Sequence, residues 1–270
     1  MLIPRIYDDL DRFLQPGKVT LIFGPRQVGK TTLVKNFLKH TQLKYKFVLG
    51  DNLLISNTLS VPDLRVLTDF VLGVDLLVVD EAQMIPNVGK VFKLLVDTHP
   101  QLKIIATGSS SFELAGQVGE PLVGRKQTLH LYPLSQLEYS QQANPYELRQ
   151  KLSELLIFGN YPAIVVESDK VQKQAKLLDY IASFLLKDIM ALEQVKGSKV
   201  LFDLLRLVAY QVGSEVSLSE LGKQLGLDYK TVARYLNILE QGFVLYNVRG
   251  YSGNLRKTIT KKSKYYFWDT

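Results

Sequence analysis

The sequence predicts an α/β fold: a doubly wound parallel sheet over the first half of the chain, then a helical region, then a small helix-turn-helix unit with β segments. Three observations carry this. Short apolar runs alternate with helical stretches up to about Pro133, a glycine-rich G-x-x-x-x-G-K-[ST] string joins the first run to the first helix, and helical spacing dominates afterwards.

Val19–Phe23, Lys46–Leu49, Leu76–Asp80, Lys103–Thr107 and Gln127–Leu131 read as strands. Several are almost wholly apolar, the composition of strands buried on both faces of a parallel sheet. Thr31–His40, a stretch around Val61–Leu72, and Val88–Thr98 carry helical spacing between them. Strands separated by helices imply βαβ crossovers, hence a doubly wound sheet.

From Ser135 to Val212 helical periodicity runs on, broken near Gly159–Pro162. Beyond it, Ser219–Leu225 and Tyr229–Gln241 read as two helices joined by a turn containing Gly226. β segments follow at Phe243–Val248 and Tyr265–Trp268. That order matches a winged helix-turn-helix. The expected organisation is a core over 1–135, a helical lid over 136–195 and the winged unit over 196–270. On its second helix Val232, Leu236 and Leu239 share a face and are expected to pack inward, which turns Lys230, Thr231, Arg234 and Asn237 outward. The closing aromatic run of Tyr265, Tyr266, Phe267 and Trp268 leaves large side chains with no following sequence to cover them. A further domain after Thr270 is therefore expected in the natural form.

Composition narrows the function classes. With 270 residues, 46% hydrophobic and 22% charged, the chain has what a soluble globular protein of two or three domains needs. It has no cysteine, which excludes disulfides and thiolate metal sites. His40, His99 and His130 lack metal-ligand spacing. The N-terminus reads MLIPRIYDDLDRFL, with acids where a signal sequence needs its apolar run, and no stretch approaches the roughly 20 apolar residues of a membrane span. A cytoplasmic protein without membrane contact is expected. The net charge of +7 is uneven: residues 141–270 carry 18 Lys and Arg against 13 Asp and Glu, and between Arg249 and Phe267 there are six bases and no acid. Such a half invites a polyanion, or is simply a solvated face. DNA contacts are expected at Lys230, Arg234, Lys261 and Lys262.

The string GPRQVGKT, Gly24 to Thr31, follows a strand and opens a helix, the context a P-loop requires. Gly24 and Gly29 let the backbone turn tightly beside phosphate oxygens. The backbone N–H groups from Arg26 through Thr32, with the helix N-terminus, form an anion site in which Pro25, Arg26, Gln27 and Val28 fill the loop. Lys30 supplies a point charge to the β- and γ-phosphates, and the Thr31 hydroxyl suits magnesium. Fifty residues on, LLVVDEAQ ends an apolar strand in Asp80 and Glu81. Asp80 is placed to hold magnesium, and Glu81 to accept a proton from an attacking water. A third strand, KIIATGSSS, offers Thr107 or Ser109 as a hydroxyl that positions this water, Ser109 being favoured; the same serines also suit a helix cap.

These strings, together with LVGRKQTLHLYPLSQLEY, FGNYPAIV, LLKDI and TVARYLNILEQ, make the chain resemble, from Ile3 to its last residue, a bacterial and archaeal family of AAA-like P-loop ATPases. Members pair an AAA-type domain with a C-terminal winged helix and often end in a nuclease-like fold. The resemblance implies AAA-type strand order, with the Lys103 strand between those leading to Lys30 and Asp80. It also implies magnesium-dependent ATP hydrolysis by Gly24, Gly29, Lys30, Thr31, Asp80 and Glu81. Arg125 matches a Gly-Arg of the family and is a candidate arginine finger reaching a neighbour's γ-phosphate in a homo-oligomer; a structural base before a strand is the alternative. In relatives KYYFWDT is usually followed by Gly-Leu and another domain.

Two functions remain from different classes. One is an ATPase that couples nucleotide state to the winged helix. The other is a DNA-binding regulator or protein-interaction switch, ordered by ATP and hydrolysing little. Glu81 favours the first, since a switch does not need a base, and a metabolite kinase fits Asp80–Glu81 poorly.

Overall fold

The computed structural model describes residues 3–109, 121–181, 198–251, 253 and 262–269. The chain divides into two compact units, Met1–Leu152 with Tyr161–Ala163, and Ser153–Asn160 with Ile164–Thr270. The stretch expected as a separate lid, 136–195, is thus shared between them, and 182–197 lies outside the described residues.

The first unit is a five-stranded, all-parallel sheet in the order β2-β3-β4-β1-β5. Its strands are β1 (Val19–Phe23), β2 (Tyr45–Leu49), β3 (Leu76–Asp80), β4 (Lys103–Gly108) and β5 (Lys126–His130). β4 lies between β1 and β3, as the resemblance implied. Every residue of β1 and β3 is buried, which an apolar strand achieves only when both sheet faces are covered. On one face Ile22, Val78, Ile105 and Leu129 share a core with Leu33, Val34, Phe37 and Leu38 of helix α1 (Lys30–Leu38), closed by Leu10 and Leu14. Helix α4 (Val88–Thr98) buries Val88, Val91, Phe92, Leu95 and Val96, an i, i+3, i+4, i+7 stripe that marks its inner side.

Between β2 and β3 the expected single helix is two. α2 (Leu53–Ser60) is capped by Asn52, whose side chain accepts from the N–H groups of Leu54 and Ile55. α3 (Leu64–Phe70) is capped in the same way by Asp63. Pro62 separates them: it bars its predecessor, Val61, from helical backbone, so the helical spacing from Val61 onward belongs to α3 alone.

The helices that follow are α5 (Gln136–Tyr139), α6 (Pro145–Phe158), α7 (Pro162–Val165), α8 (Lys170–Tyr180) and α9 (Ser198–Tyr210). In the second unit Lys173 of α8 is buried and pairs with Glu154 at 2.5 Å. After α9 come β6 (Glu215–Val216), α10 (Leu218–Leu225), α11 (Tyr229–Gln241), β7 (Leu245–Arg249) and β8 (Ser263–Phe267), the strands forming an antiparallel sheet in the order β6-β8-β7. One core gathers Leu204 and Val208 of α9, Leu221 of α10, Val232, Leu236 and Leu239 of α11, and Leu245 and Tyr265 of the sheet.

Two expectations are corrected here. Thr231 is not a free outward group: its hydroxyl donates to Asp228 at 2.6 Å, while the Asp228 carboxylate also caps α11 through the N–H groups of Lys230 and Thr231. These hydrogen bonds, led by the Thr231 hydroxyl, hold the Asp228 carboxyl below its ordinary range. Nor is the closing aromatic run uncovered. Tyr265 is buried, Phe267 packs on the core, and Tyr246 meets the Tyr266 ring at 5.3 Å and the Trp268 ring at 4.9 Å.

Candidate functional site

In a parallel sheet the loops at the carboxyl ends of the strands form the crevice, and here the loop after β1 meets the tips of β3 and β4. Gly24 is demanded by its neighbour: a Cβ there would sit 1.9 Å from the Leu131 carbonyl oxygen, so its constraint is close packing against the chain beyond β5. Gly29 has φ +97° and open space where a Cβ would be, apart from one Arg5 nitrogen at 3.6 Å, which keeps the loop backbone approachable.

Lys30 is buried, and its Nζ donates to the carbonyls of Gly24 at 2.9 Å and Pro25 at 2.6 Å, folding the ammonium back over the loop. The Thr31 hydroxyl lies 3.0 and 2.8 Å from the two carboxylate oxygens of Asp80. Asp80 is buried too and also accepts from the Thr107 hydroxyl, which in turn accepts from the Glu81 N–H at 3.1 Å. Thr107, one of the two hydroxyls weighed in the sequence, contacts the acidic pair. Ser109 is buried just past the end of β4.

Glu81 adopts left-handed backbone, φ +54° and ψ +44°, and starts the short 3-10 turn Ala82–Met84. A non-glycine residue held there costs on the order of 1–3 kcal/mol and persists where surrounding contacts fix it. The turn brings the Gln83 amide back to donate to the Glu81 carboxylate. Arg26, Gln27, Gly29, Lys30, Thr31, Thr32, Asp51, Glu81, Gln83 and Met84 line one cleft of about 530 Å³. Sequence reasoning missed Asp51, Gln83 and Met84. Gln83 stood in the quoted LLVVDEAQ string, but nothing in its spacing set it apart.

Arg5 was missed entirely. Its guanidinium donates to Glu138 at 2.7 Å, to the Val28 carbonyl of the P-loop at 2.6 Å and to the Tyr132 carbonyl at 2.6 Å. Glu138 also accepts from the Ser135 N–H and hydroxyl and the Ile6 N–H. The P-loop is thus tied to the N-terminal segment and to α5 by one buried ion pair.

Arg125 is elsewhere. Its carbonyl accepts from the N–H of Val19, the first residue of β1, so it lies at the opposite end of the sheet from the P-loop, about 17 Å away at roughly 3.3 Å per strand residue. Its Nε pairs with Asp97 at 2.5 Å. Any phosphate contact by Arg125 would have to be made in a second copy's site. On the second unit Lys230, Arg234 and Asn237 are exposed along α11 and Lys262 is exposed before β8, whereas Lys261 lies outside the described residues.

The residues present fit a magnesium–nucleotide. The glycine cradle, the lysine, and a hydroxyl–carboxylate pair at the base of the cleft are the donor set this ligand takes. Lys30→Ala is expected to weaken ATP binding at least tenfold, about 1.4 kcal/mol, in a fluorescent-nucleotide titration with magnesium. An unchanged affinity in the folded variant would remove the phosphate-site assignment.

Comparison with known proteins agrees on the first unit. Residues 16–140 match the family described as AAA domain, and residues 149–270 match a domain of unknown function, DUF8612. An uncharacterized protein of Mycobacterium tuberculosis is 28% identical over 264 residues, covering 97% of this chain and 56% of that protein. One from Haemophilus influenzae is 28% identical over 200 residues, 71% of this chain and 50% of its own. One from Methanocaldococcus jannaschii is 23% identical over 277 residues, 95% of this chain and 62% of its own. The chain therefore spans between half and two thirds of the length of these relatives. Among solved structures, a STAND signal-transduction ATPase with a tetratricopeptide repeat sensor from Pyrococcus horikoshii aligns with 98% of this chain and 41% of its own at 12% identity and TM-score 0.38. The flagellar accessory protein FlaH of M. jannaschii aligns with 47% and 78% at 14% identity and TM-score 0.30. Both likenesses are too loose to bear on function. The first unit has a P-loop NTPase fold, and its residues 16–140 are similar to the AAA domain family.

Proposed function

We propose that this chain is a magnesium-dependent ATPase whose nucleotide state is coupled to a winged helix-turn-helix in its second unit. One observation supports this above the others: the Thr31 hydroxyl and the Asp80 carboxylate meet at 2.8 Å at the foot of the P-loop, with Glu81 directly following. That is a metal-binding pair with a base beside it. Thr31 and Asp80 would hold magnesium, which when bound neutralises charge on the phosphates. Lys30 and the loop N–H groups bind and orient the triphosphate. Thr107 fixes Asp80 and the Glu81 backbone together, so that the Glu81 carboxylate is presented to the cleft to take a proton from water. The test is phosphate release from ATP with and without magnesium; no release above background with magnesium present overturns the reading.

The winged-helix reading of the second unit rests on the order α9-β6-α10-α11-β7-β8 and its three-stranded antiparallel sheet. Exposed Lys230 and Arg234 on α11 suit a DNA backbone, so binding should be mainly electrostatic. Duplex affinity is expected to fall steeply with salt, and removing Lys230 and Arg234 together should flatten the logarithmic slope by about two units. A duplex titration across salt concentrations reads this. Absence of binding at low salt would make the winged helix a protein-docking module instead.

A further inference from the structure

Glu81 is fastened at two points. Its N–H donates to Thr107, and one of its carboxylate oxygens, Oε2, accepts from the Gln83 amide nitrogen. The left-handed backbone at Glu81 and the 3-10 turn after it put residue 83 on the same side as the carboxylate. Both residues line the cleft with Lys30 and Thr31.

The contact is made at a cost elsewhere. Among the described residues the Gln83 carbonyl oxygen is sealed from solvent and has no hydrogen-bond partner. An orphaned buried acceptor is destabilising. Rotating the amide by half a turn would not relieve it, because an acceptor would then face the Glu81 carboxylate. Packing alone does not call for an amide here, since a methionine has the same length and no unpaired oxygen. Polar groups left unsatisfied beside a reactive carboxylate mark a place where geometry has been favoured over stability.

We propose that Gln83 is a positioning residue for ATP hydrolysis: it clamps Oε2 of Glu81 and so aims Oε1 at the site of the attacking water. This rests on the hydrolase reading above. Gln83 takes no proton and touches no substrate; it narrows the orientations of the base, and small misplacements of catalytic groups are worth up to about a hundredfold in rate.

The experiment compares wild type, Gln83→Met, Gln83→Leu, Glu81→Gln and Glu81→Gln/Gln83→Met in phosphate release, Mg-ATP affinity and thermal unfolding. Gln83→Met should lower kcat tenfold or more, leave Mg-ATP affinity within twofold, and leave the unfolding midpoint equal or higher. In the Glu81→Gln background it should add less than a twofold loss, because its effect runs through Glu81. A side-chain amide NMR spectrum of the nucleotide-free wild type supplies a readout apart from turnover: the Gln83 amide protons should be protected from exchange and should lose protection in Glu81→Ala. Wild-type kcat in both Gln83 variants, or an equal further loss on top of Glu81→Gln, overturns the proposal while leaving the hydrolase reading intact. Lack of turnover by the wild type itself, with ATP bound, overturns both.

Discussion

Glu81→Gln is expected to bind Mg-ATP as wild type does and to release phosphate between about a hundredfold and ten-thousandfold more slowly, the range that loss of a positioned general base produces. The substitution keeps the shape of the side chain and an acceptor oxygen for the Gln83 amide, but an amide takes up no proton from water. The residues that bind are untouched: Lys30 with its two carbonyl contacts, and Thr31 with Asp80. The backbone tie from the residue 81 N–H to Thr107 does not involve the altered atoms either. Binding and chemistry should therefore separate cleanly in a nucleotide titration set beside a single-turnover assay. A full wild-type rate in this variant would mean that the base lies elsewhere, and the ATP-ordered regulator would become the better reading.

What the sequence revealed and what it concealed divide along a physical line. The P-loop, the Asp80–Glu81 pair and the strands behind them are contiguous signals, because a buried parallel strand must be apolar throughout and its tip must present the functional groups. β1 and β3 were legible to the residue; β2 was begun one residue late with its end correct, and β5 was placed one residue late. α2 was not legible, since Leu53–Ser60 mixes Leu and Ile with Ser, Asn and Thr, residues with weak helix preference. Its existence depends on the Asn52 cap and on contacts with α4. Thr107 lies within β4 and Ser109 just past its end, and only the three-dimensional end of β3 shows that Thr107 meets Asp80. Thr231 shows the same limit in a helix: a position facing outward by periodicity is claimed locally by the cap at Asp228. Arg5 and Glu138 are 133 residues apart, and no local pattern links two such lone charges.

That pair carries the largest expected effect on stability. Arg5→Met should destabilise the first unit by about 3–5 kcal/mol at neutral pH, the usual cost of stranding one member of a buried ion pair. The side chains of Arg5 and Glu138 are 8% and 2% exposed, so water cannot replace what is lost, and the Val28 and Tyr132 carbonyls lose donors as well. The pH dependence identifies the cause. In the wild type, burial pushes the Glu138 carboxyl up, but the Ser135 backbone N–H, the Arg5 hydrogen bond and charge, and the Ile6 N–H together bring it below its ordinary 4.5. A carboxyl lowered on folding contributes stability that is present above 4.5 and is lost as pH falls through its folded value. Without Arg5 the carboxyl loses two of the contributions that lower it and rises, so less of that stability is present in the variant at neutral pH. The gap between the two proteins should thus be widest near neutrality and close progressively toward pH 4. Glu138→Gln added to Arg5→Met should recover part of the loss at neutral pH, since no buried charge is then left. Urea unfolding of the three proteins at several pH values reads all of this. A deficit below about 1 kcal/mol at neutrality, or one that does not change with pH, would show that Arg5 is held in place without holding the P-loop.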